Sequence, residues 1–229
     1  MEFSEVVKAR RSIRFYTDEP VPREVIERGL DAALLAPNSS NIQTWEFYWV
    51  QDPVKRKELV HICLNQSAAR TAKEIIVIVA NPRAWKRTNP VLQQRVRDLH
   101  APTSVQKYYR FLIPFIYGFQ WLNPFKWIFK TLIGLFKPMY RIPSSYGQLS
   151  EISVKSAALA CENFMLSIVD QGYASCPMEG FDKVRMKKML QLPWGSRVVM
   201  AISVGRADPK RGTWGPQIRL DRTWFIRHV

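Results

Sequence analysis

The sequence predicts an α+β fold, a mixed sheet of about four or five strands surrounded by helices, with a long central helix and an aromatic-rich insertion. Three observations carry that expectation. Residues 74–80 (EIIVIVA) and 197–204 are β-branched apolar runs of strand length, uniform enough to be buried on both faces. Residues 151–171 form a long helical stretch, apolar on most sides and closed by Gly172, which suits a central helix or a subunit interface. Helical and strand-like segments alternate along the chain, but no G-x-G-x-x-G turn joins a strand to a helix.

The remaining elements follow in order. Residues 3–11 carry Phe3, Val6 and Val7 on a short helix with a basic end. Pro22 occupies a first helical turn, and Val25, Ile26, Leu30, Ala33 and Leu34 continue a helix that ends before Pro37. The aromatic run 45–50 reads as a strand. Residues 53–64 read as a helix with Leu59, Ile62 and Cys63 apolar, and residues 182–190 as a shorter basic helix.

Residues 99–150 form an insertion of unusual composition. They contain no Asp or Glu, yet hold six of the 12 Phe and two of the 8 Trp. Pro114, Pro124, Pro138 and Pro143 divide them. Their longest uncharged run, 111–125, falls short of the ~20 residues a spanning helix needs and has an internal proline. Lys126, Lys130, Gly134 and Lys137 recur at helical spacing among Trp127, Ile128, Phe129, Leu132, Ile133, Leu135 and Phe136, a basic amphipathic helix. Its aromatics are expected to pack on the body or a partner, to form a lid over a site, or to touch a membrane surface through 107–141.

Composition narrows the class. A chain of 229 residues with 47% hydrophobic and 23% charged residues fits one globular domain, residues 1–229. The formal charge of +15 calls for anionic partners. With no nucleic-acid motif and no long basic run, small anions are favoured over nucleic acid. Met1-Glu2-Phe3-Ser4 opens without a basic n-region and apolar h-region, so a cytoplasmic protein is expected, with peripheral membrane contact as a second expectation. Cys63, Cys161 and Cys176 have no C-x-x-C spacing, and His61, His100 and His228 are scattered, so neither a disulfide framework nor a metal site is expected. Cys176 has no histidine in motif context and reads as structural.

Two segments carry the chemistry. Arg10-Arg11-Ser12-Ile13-Arg14 places three arginines and a serine where they can neutralise and hydrogen-bond a phosphate. Ala36-Pro37-Asn38-Ser39-Ser40-Asn41-Ile42-Gln43-Thr44-Trp45 offers neutral donors and acceptors on a turn-prone backbone, suited to a planar polar ligand. Together they suit a phosphorylated heterocycle.

The pattern R-R-S-x-R, then A-P-x-S-x-N-x-Q-x-W, resembles the nitroreductase family of FMN enzymes. Cys176-Pro177-Met178-Glu179-Gly180-Phe181-Asp182 is similar to that family's P-x-E-G-F-D loop, and Val204-Gly205-Arg206 before a basic tail is similar too. The chain departs from the pattern at Asn38 and Thr44, where Ser and Pro are usual. The resemblance implies a nitroreductase-like fold and a homodimer with two shared FMN sites. It also implies hydride transfer from NAD(P)H through flavin N5 to a small electron-poor acceptor, such as a nitroaromatic or quinone, with ping-pong kinetics. Arg10, Arg11 and Ser12 would hold the FMN phosphate together with Lys210, Arg211 or Arg219, among which the sequence does not choose. Arg14 would reach the N1/O2 edge of the ring and stabilise its reduced anion. Pro37, Asn38, Ser39 and Asn41 would come from the second subunit, with Gln43 bonding the ring or pinning the loop. Pro177, Met178, Glu179 and Gly180 would pack on the ring face opposite the substrate, Glu179 without a role as a base. A reading from another class is a flavin-binding or membrane-surface protein that uses the insertion for partner contact.

Overall fold

The computed structural model describes residues 1–118, 122–138 and 142–229. The two β-branched runs form the middle of its sheet. β2 (Glu74–Ala80) and β4 (Arg197–Gly205) pair antiparallel, with β1 (Trp45–Trp49) outside β2 and β3 (Ala174–Met178) outside β4. The sheet is expected to be mixed. Among the described residues its ladders are all antiparallel, and parallel pairing is confined to one bridge between Ser12 and Ser175. β3 is a correction to the sequence reading, which treats residues 176–182 as a loop. Pro177 disguises the strand, and an edge position, where half of the ladder is absent, lets the proline stay.

Both faces of the sheet are covered, which explains the unbroken apolar runs. On one side α2 (Arg23–Leu34) and α8 (Tyr146–Asp170) pack Ile26, Phe164 and Ile168 against Ile76, Ile78 and Ile202. Gly29 sets the approach of these helices: a Cβ there would lie 2.8 Å from the Phe164 ring. On the other side α3 (Pro53–Ile62) and α9 (Lys183–Met189) bring Leu59, Ile62 and Met186 onto Val77, Val79 and Ala201. α8 starts five residues before the expected Glu151, because the Ser145 side chain accepts from Gln148 N and caps it. Gly172, at φ 78°, follows its end. α8 is long and apolar enough to cross a membrane, yet half of its apolar window is buried in the protein, as a core helix requires.

α1 (Phe3–Ala9) and α4 (Ser67–Thr71) are short. α5 (Trp85–Asp98) escapes the sequence reading because Pro90 lies inside it and few of its residues are buried, which thins the apolar stripe. α6 (Thr103–Lys107) and the wide turns Tyr108–Leu112 and Pro114–Gly118 follow, packing Ile113, Ile116 and Tyr117 on Ile42, Leu92 and Leu149.

α7 (Asn123–Phe136) confirms the helical spacing and reverses the expected orientation. Lys126 and Lys130 are 4% and 7% exposed, whereas Phe125, Trp127, Phe129, Leu132, Leu135 and Phe136 are all more than half exposed. Of the two inward lysines, Lys130 is hydrogen-bonded there, whereas the buried Lys126 Nζ makes no hydrogen bond among the described residues. Lys130 Nζ donates to Ser144 Oγ at 2.7 Å and to the Ile142 carbonyl at 3.4 Å. Lys126 Nζ lies 5.0 Å from the centroid of the Phe115 ring, and burial lowers its pKa. Among the described residues the expected packing on the body is thus found for Tyr108, Tyr109 and Tyr117 of the insertion and not for these aromatics of α7. Phe119 and Trp121, with the parts of the 107–141 expectation that fall on 119–121 and 139–141, lie outside the described residues.

Candidate functional site

The Arg10–Arg14 segment leaves α1 in extended form and is held from both sides. Ile13 N donates to the Ser175 carbonyl of β3 at 3.0 Å, and Arg14 N donates to the Gly212 carbonyl at 3.0 Å. The two-residue alternation of an extended chain turns Ile13 inward and leaves Ser12 and Arg14 at the surface, and Tyr16, outside that alternation, is buried as the chain leaves the segment. Tyr16 anchors the segment through its hydroxyl, 2.9 Å from Ser203 Oγ. The cationic face is thus a consequence of register.

The opposite wall is a tight turn. Asp208 Oδ1 accepts from the backbone N–H groups of Lys210 and Arg211, both at 2.9 Å, and its carboxylate pairs with the Arg211 guanidinium at 2.7 Å. These bonds hold the Asp208 carboxyl below its usual range, the Arg211 side chain contributing most. Gly212 closes the turn, where a Cβ would meet the Asp208 carbonyl at 2.6 Å. Arg11 Nη2 ties the N-terminal segment to this wall through the Gly215 carbonyl at 2.7 Å.

Between the walls lies a cleft of about 630 Å³ lined by Arg10, Arg11, Ser12, Arg14, Lys210, Arg211 and Arg219, with Phe15 and Trp214 among the remaining contacts. All three C-terminal cations named from sequence reach it. Their commitments differ. Arg211 is paired with Asp208, and Arg219 Nη1 donates to the neighbouring Ile218 carbonyl at 2.9 Å. Lys210 has no ion pair among the described residues. Arg10 Nε is 3.8 Å from Glu162 of α8, a loose contact for a side chain 19% exposed. Six cations therefore share the cleft with two nearby carboxylates, Glu162 and Asp208. That surplus fits a phosphate dianion, with the Ser12 hydroxyl as a neutral donor.

Cys176 sits behind Ser12 and Arg14. Burial raises its thiol pKa, while the Arg14 charge and the Ser12 hydrogen bond offset part of the effect. Such a thiol is protonated near neutral pH, in keeping with a structural role. Met178 is buried at 3% in the core, so its side chain does not face a ligand. Glu179 lines a separate depression with Ser150, Lys183, Lys187 and Arg197, not the cationic cleft. The following loop is fixed: the Gly180 carbonyl accepts from Gln66 Nε2 at 2.5 Å, and Asp182 caps α9 by accepting from Val184 N and Arg185 N at 3.0 Å. Gln66 is a residue the sequence reading missed. Its signal is the preceding Leu64-Asn65 pair, both at positive φ (57° and 52°), an Asn-containing turn at the end of α3.

The second polar segment lies elsewhere. Asn38 Oδ1 accepts from Gln43 N at 2.8 Å, so Gln43 pins the loop through its backbone. Ser40, Asn41 and Gln43 adopt left-handed conformations at φ 59°, 53° and 54°. Ser39 N donates to Ser156 Oγ of α8 at 3.3 Å, and Ser40 Oγ shares a 2.6 Å hydrogen bond with Tyr108 OH of the insertion. Pro37, Asn38 and Ser39 line a shallow depression with Lys155 and Leu159 rather than the cationic cleft. One chain therefore does not bring the two segments together. α8 links them: Ser156 touches the polar loop and Glu162 touches Arg10, about 9 Å apart along the helix axis. Among the described residues, none from 99–150 lines the cationic cleft, so the lid expectation draws no support from a single chain.

Comparison with known proteins adds the family context. The Nitroreductase family model matches residues 7–206. The chain is 27% identical over 242 residues to Protein DrgA of Synechocystis sp., covering 99% of both. Among solved structures it is similar to a nitroreductase family protein from Streptococcus pneumoniae, with TM-score 0.73, 22% identity and full coverage of both chains. It is also similar to the NADPH:FMN oxidoreductase from Vibrio harveyi complexed with NAD+, with TM-score 0.66 and 19% identity, covering 99% of this chain and 76% of that one.

Proposed function

Because the chain belongs to the nitroreductase family, we propose that it is an NAD(P)H-dependent FMN oxidoreductase, acting as a homodimer on small electron-poor acceptors. The observation that carries this reading is the cationic cleft, whose two walls are built by separate hydrogen-bond systems and converge on one surplus of positive charge. When bound, the flavin supplies hydride exchange between NAD(P)H and an acceptor such as a nitroaromatic or quinone.

The chain's own residues bind and tune. Arg10, Ser12, Lys210 and Arg219 hold the phosphate. Arg11 and Arg211 are partly committed to Gly215 and Asp208, so they shape the walls as well as adding charge. Arg14 places a fixed cation toward the ring and favours its anionic reduced form. Glu179 and Gly180 present backbone to the ring, with Gln66 locking the Gly180 peptide. No side-chain base is needed. A single open stacking face would serve NAD(P)H and acceptor in turn, which gives ping-pong kinetics. The cytoplasm supplies NAD(P)H and keeps Cys63, Cys161 and Cys176 reduced.

The dimer follows from the separation of the two polar segments. Pro37, Asn38, Ser39 and Asn41 of one subunit would complete the cleft of the other across α8. FMN should then be retained by the dimer alone. Light scattering coupled to size exclusion, read at flavin and protein wavelengths, should show all flavin at the mass of two chains. A monomer that holds FMN tightly would contradict the shared site.

A further inference from the structure

The outward face of α7 has no role in the cleft just described. Phe125, Phe129, Leu132 and Phe136 form a stripe at helical spacing with Leu135 beside it, and Trp127 is exposed on another side of the helix; all six are more than half exposed. The orientation is fixed from behind by Lys126 over Phe115 and by Lys130 on Ser144. An amphipathic helix with its lysines turned inward and its aromatics outward would ordinarily rotate to bury the aromatics. Here Lys130 is hydrogen-bonded on the inward side and Lys126 lies over the Phe115 ring, and the apolar stripe stays at the surface. On the inward side of α7, Phe115 under Lys126 also lines a wide apolar groove of about 620 Å³ with Lys107, Tyr108, Phe111 and Leu112. An exposed apolar surface of this extent marks an interaction site.

We propose that this face docks on an anionic lipid bilayer, with α7 lying in the interface plane. The 14 residues of α7 span about 21 Å, too short to cross and suited to lying flat. Charge selects the occupant. The chain carries a net +15, residues 99–150 contain no acid, and exposed Lys107 lines the groove, exposed Arg110 lies over Phe111, and exposed Lys137 ends α7. A second copy would bring the same positive charge to the same face. An anionic headgroup layer complements it, while the stripe and groove accept acyl chains.

The test uses the full-length protein and sedimentation with vesicles, either phosphatidylcholine mixed with phosphatidylglycerol or phosphatidylcholine alone. The protein should pellet with the mixed vesicles, more weakly with the neutral ones, and less as salt is raised. Phe125→Glu combined with Leu132→Glu should weaken binding at least about tenfold. Phe129→Glu with Phe136→Glu should do the same. These side chains are exposed, so thermal melting and FMN content should match the parent protein and report that folding is intact. Absence of pelleting by the parent protein, equal pelleting by folded variants, or salt-insensitive binding would overturn the proposal. So would a change in oligomeric mass in the variants with vesicle binding unchanged, which would make a second copy the occupant.

Discussion

An Arg10→Glu variant is expected to purify folded and nearly free of FMN. A charge-assisted hydrogen bond to phosphate contributes about 1.5–3 kcal/mol, so removal of the guanidinium alone, in Arg10→Ala, should weaken FMN at least about tenfold. The glutamate adds repulsion between like charges within the same cleft, which should carry the loss beyond about a hundredfold. The fold should tolerate the change. The native contact to Glu162 is loose at 3.8 Å and partly exposed, and pairs of that kind contribute little. FMN fluorescence titration measures the affinity, and circular dichroism checks the fold. Unchanged affinity in a folded variant would remove Arg10 from the phosphate site.

Arg14→Gln should move the flavin midpoint potential to more negative values. An opposite charge within about 4–6 Å shifts an ionisation by about 1–3 pKa units, or about 1.4–4 kcal/mol. For a two-electron couple, where about 30 mV corresponds to 1.4 kcal/mol, that converts to a fall of about 30–90 mV. The same substitution removes the charge that offsets the burial of the Cys176 thiol, so that thiol should become harder still to ionise. Spectroelectrochemistry reads the potential directly. An unchanged or higher potential would take Arg14 out of the tuning role.

Particular residues show how far the sequence carries this picture. β2, β4 and α8 are legible because burial on both faces leaves long apolar runs with a clear period. The cationic face at Ser12 and Arg14 is legible too, since the motif's own two-residue alternation turns Ile13 inward. β3 is hidden because its identity depends on an edge position that accommodates Pro177, a tertiary fact with no local signal. The three C-terminal cations are indistinguishable by composition. The pairing of Arg211 with Asp208 appears once the turn closes and separates it from Lys210. α7 is the sharpest case. Its periodicity reveals two faces, but which one turns inward depends on Phe115, Ile142 and Ser144, partners remote from the helix's own pattern. The separation of the Pro37–Gln43 loop from the cationic cleft is likewise a three-dimensional fact, set by where each contacts α8.

The central claim is that the chain binds FMN and passes reducing equivalents through it. Anaerobic titration of the FMN-loaded protein with NADPH and with NADH, followed by visible absorption, tests this most directly. The protein should be yellow, with a flavin band that is bleached by at least one of the two donors and returns when a quinone or nitroaromatic is added. A folded protein that cannot be reconstituted with FMN, or whose bound flavin neither donor reduces, would contradict it.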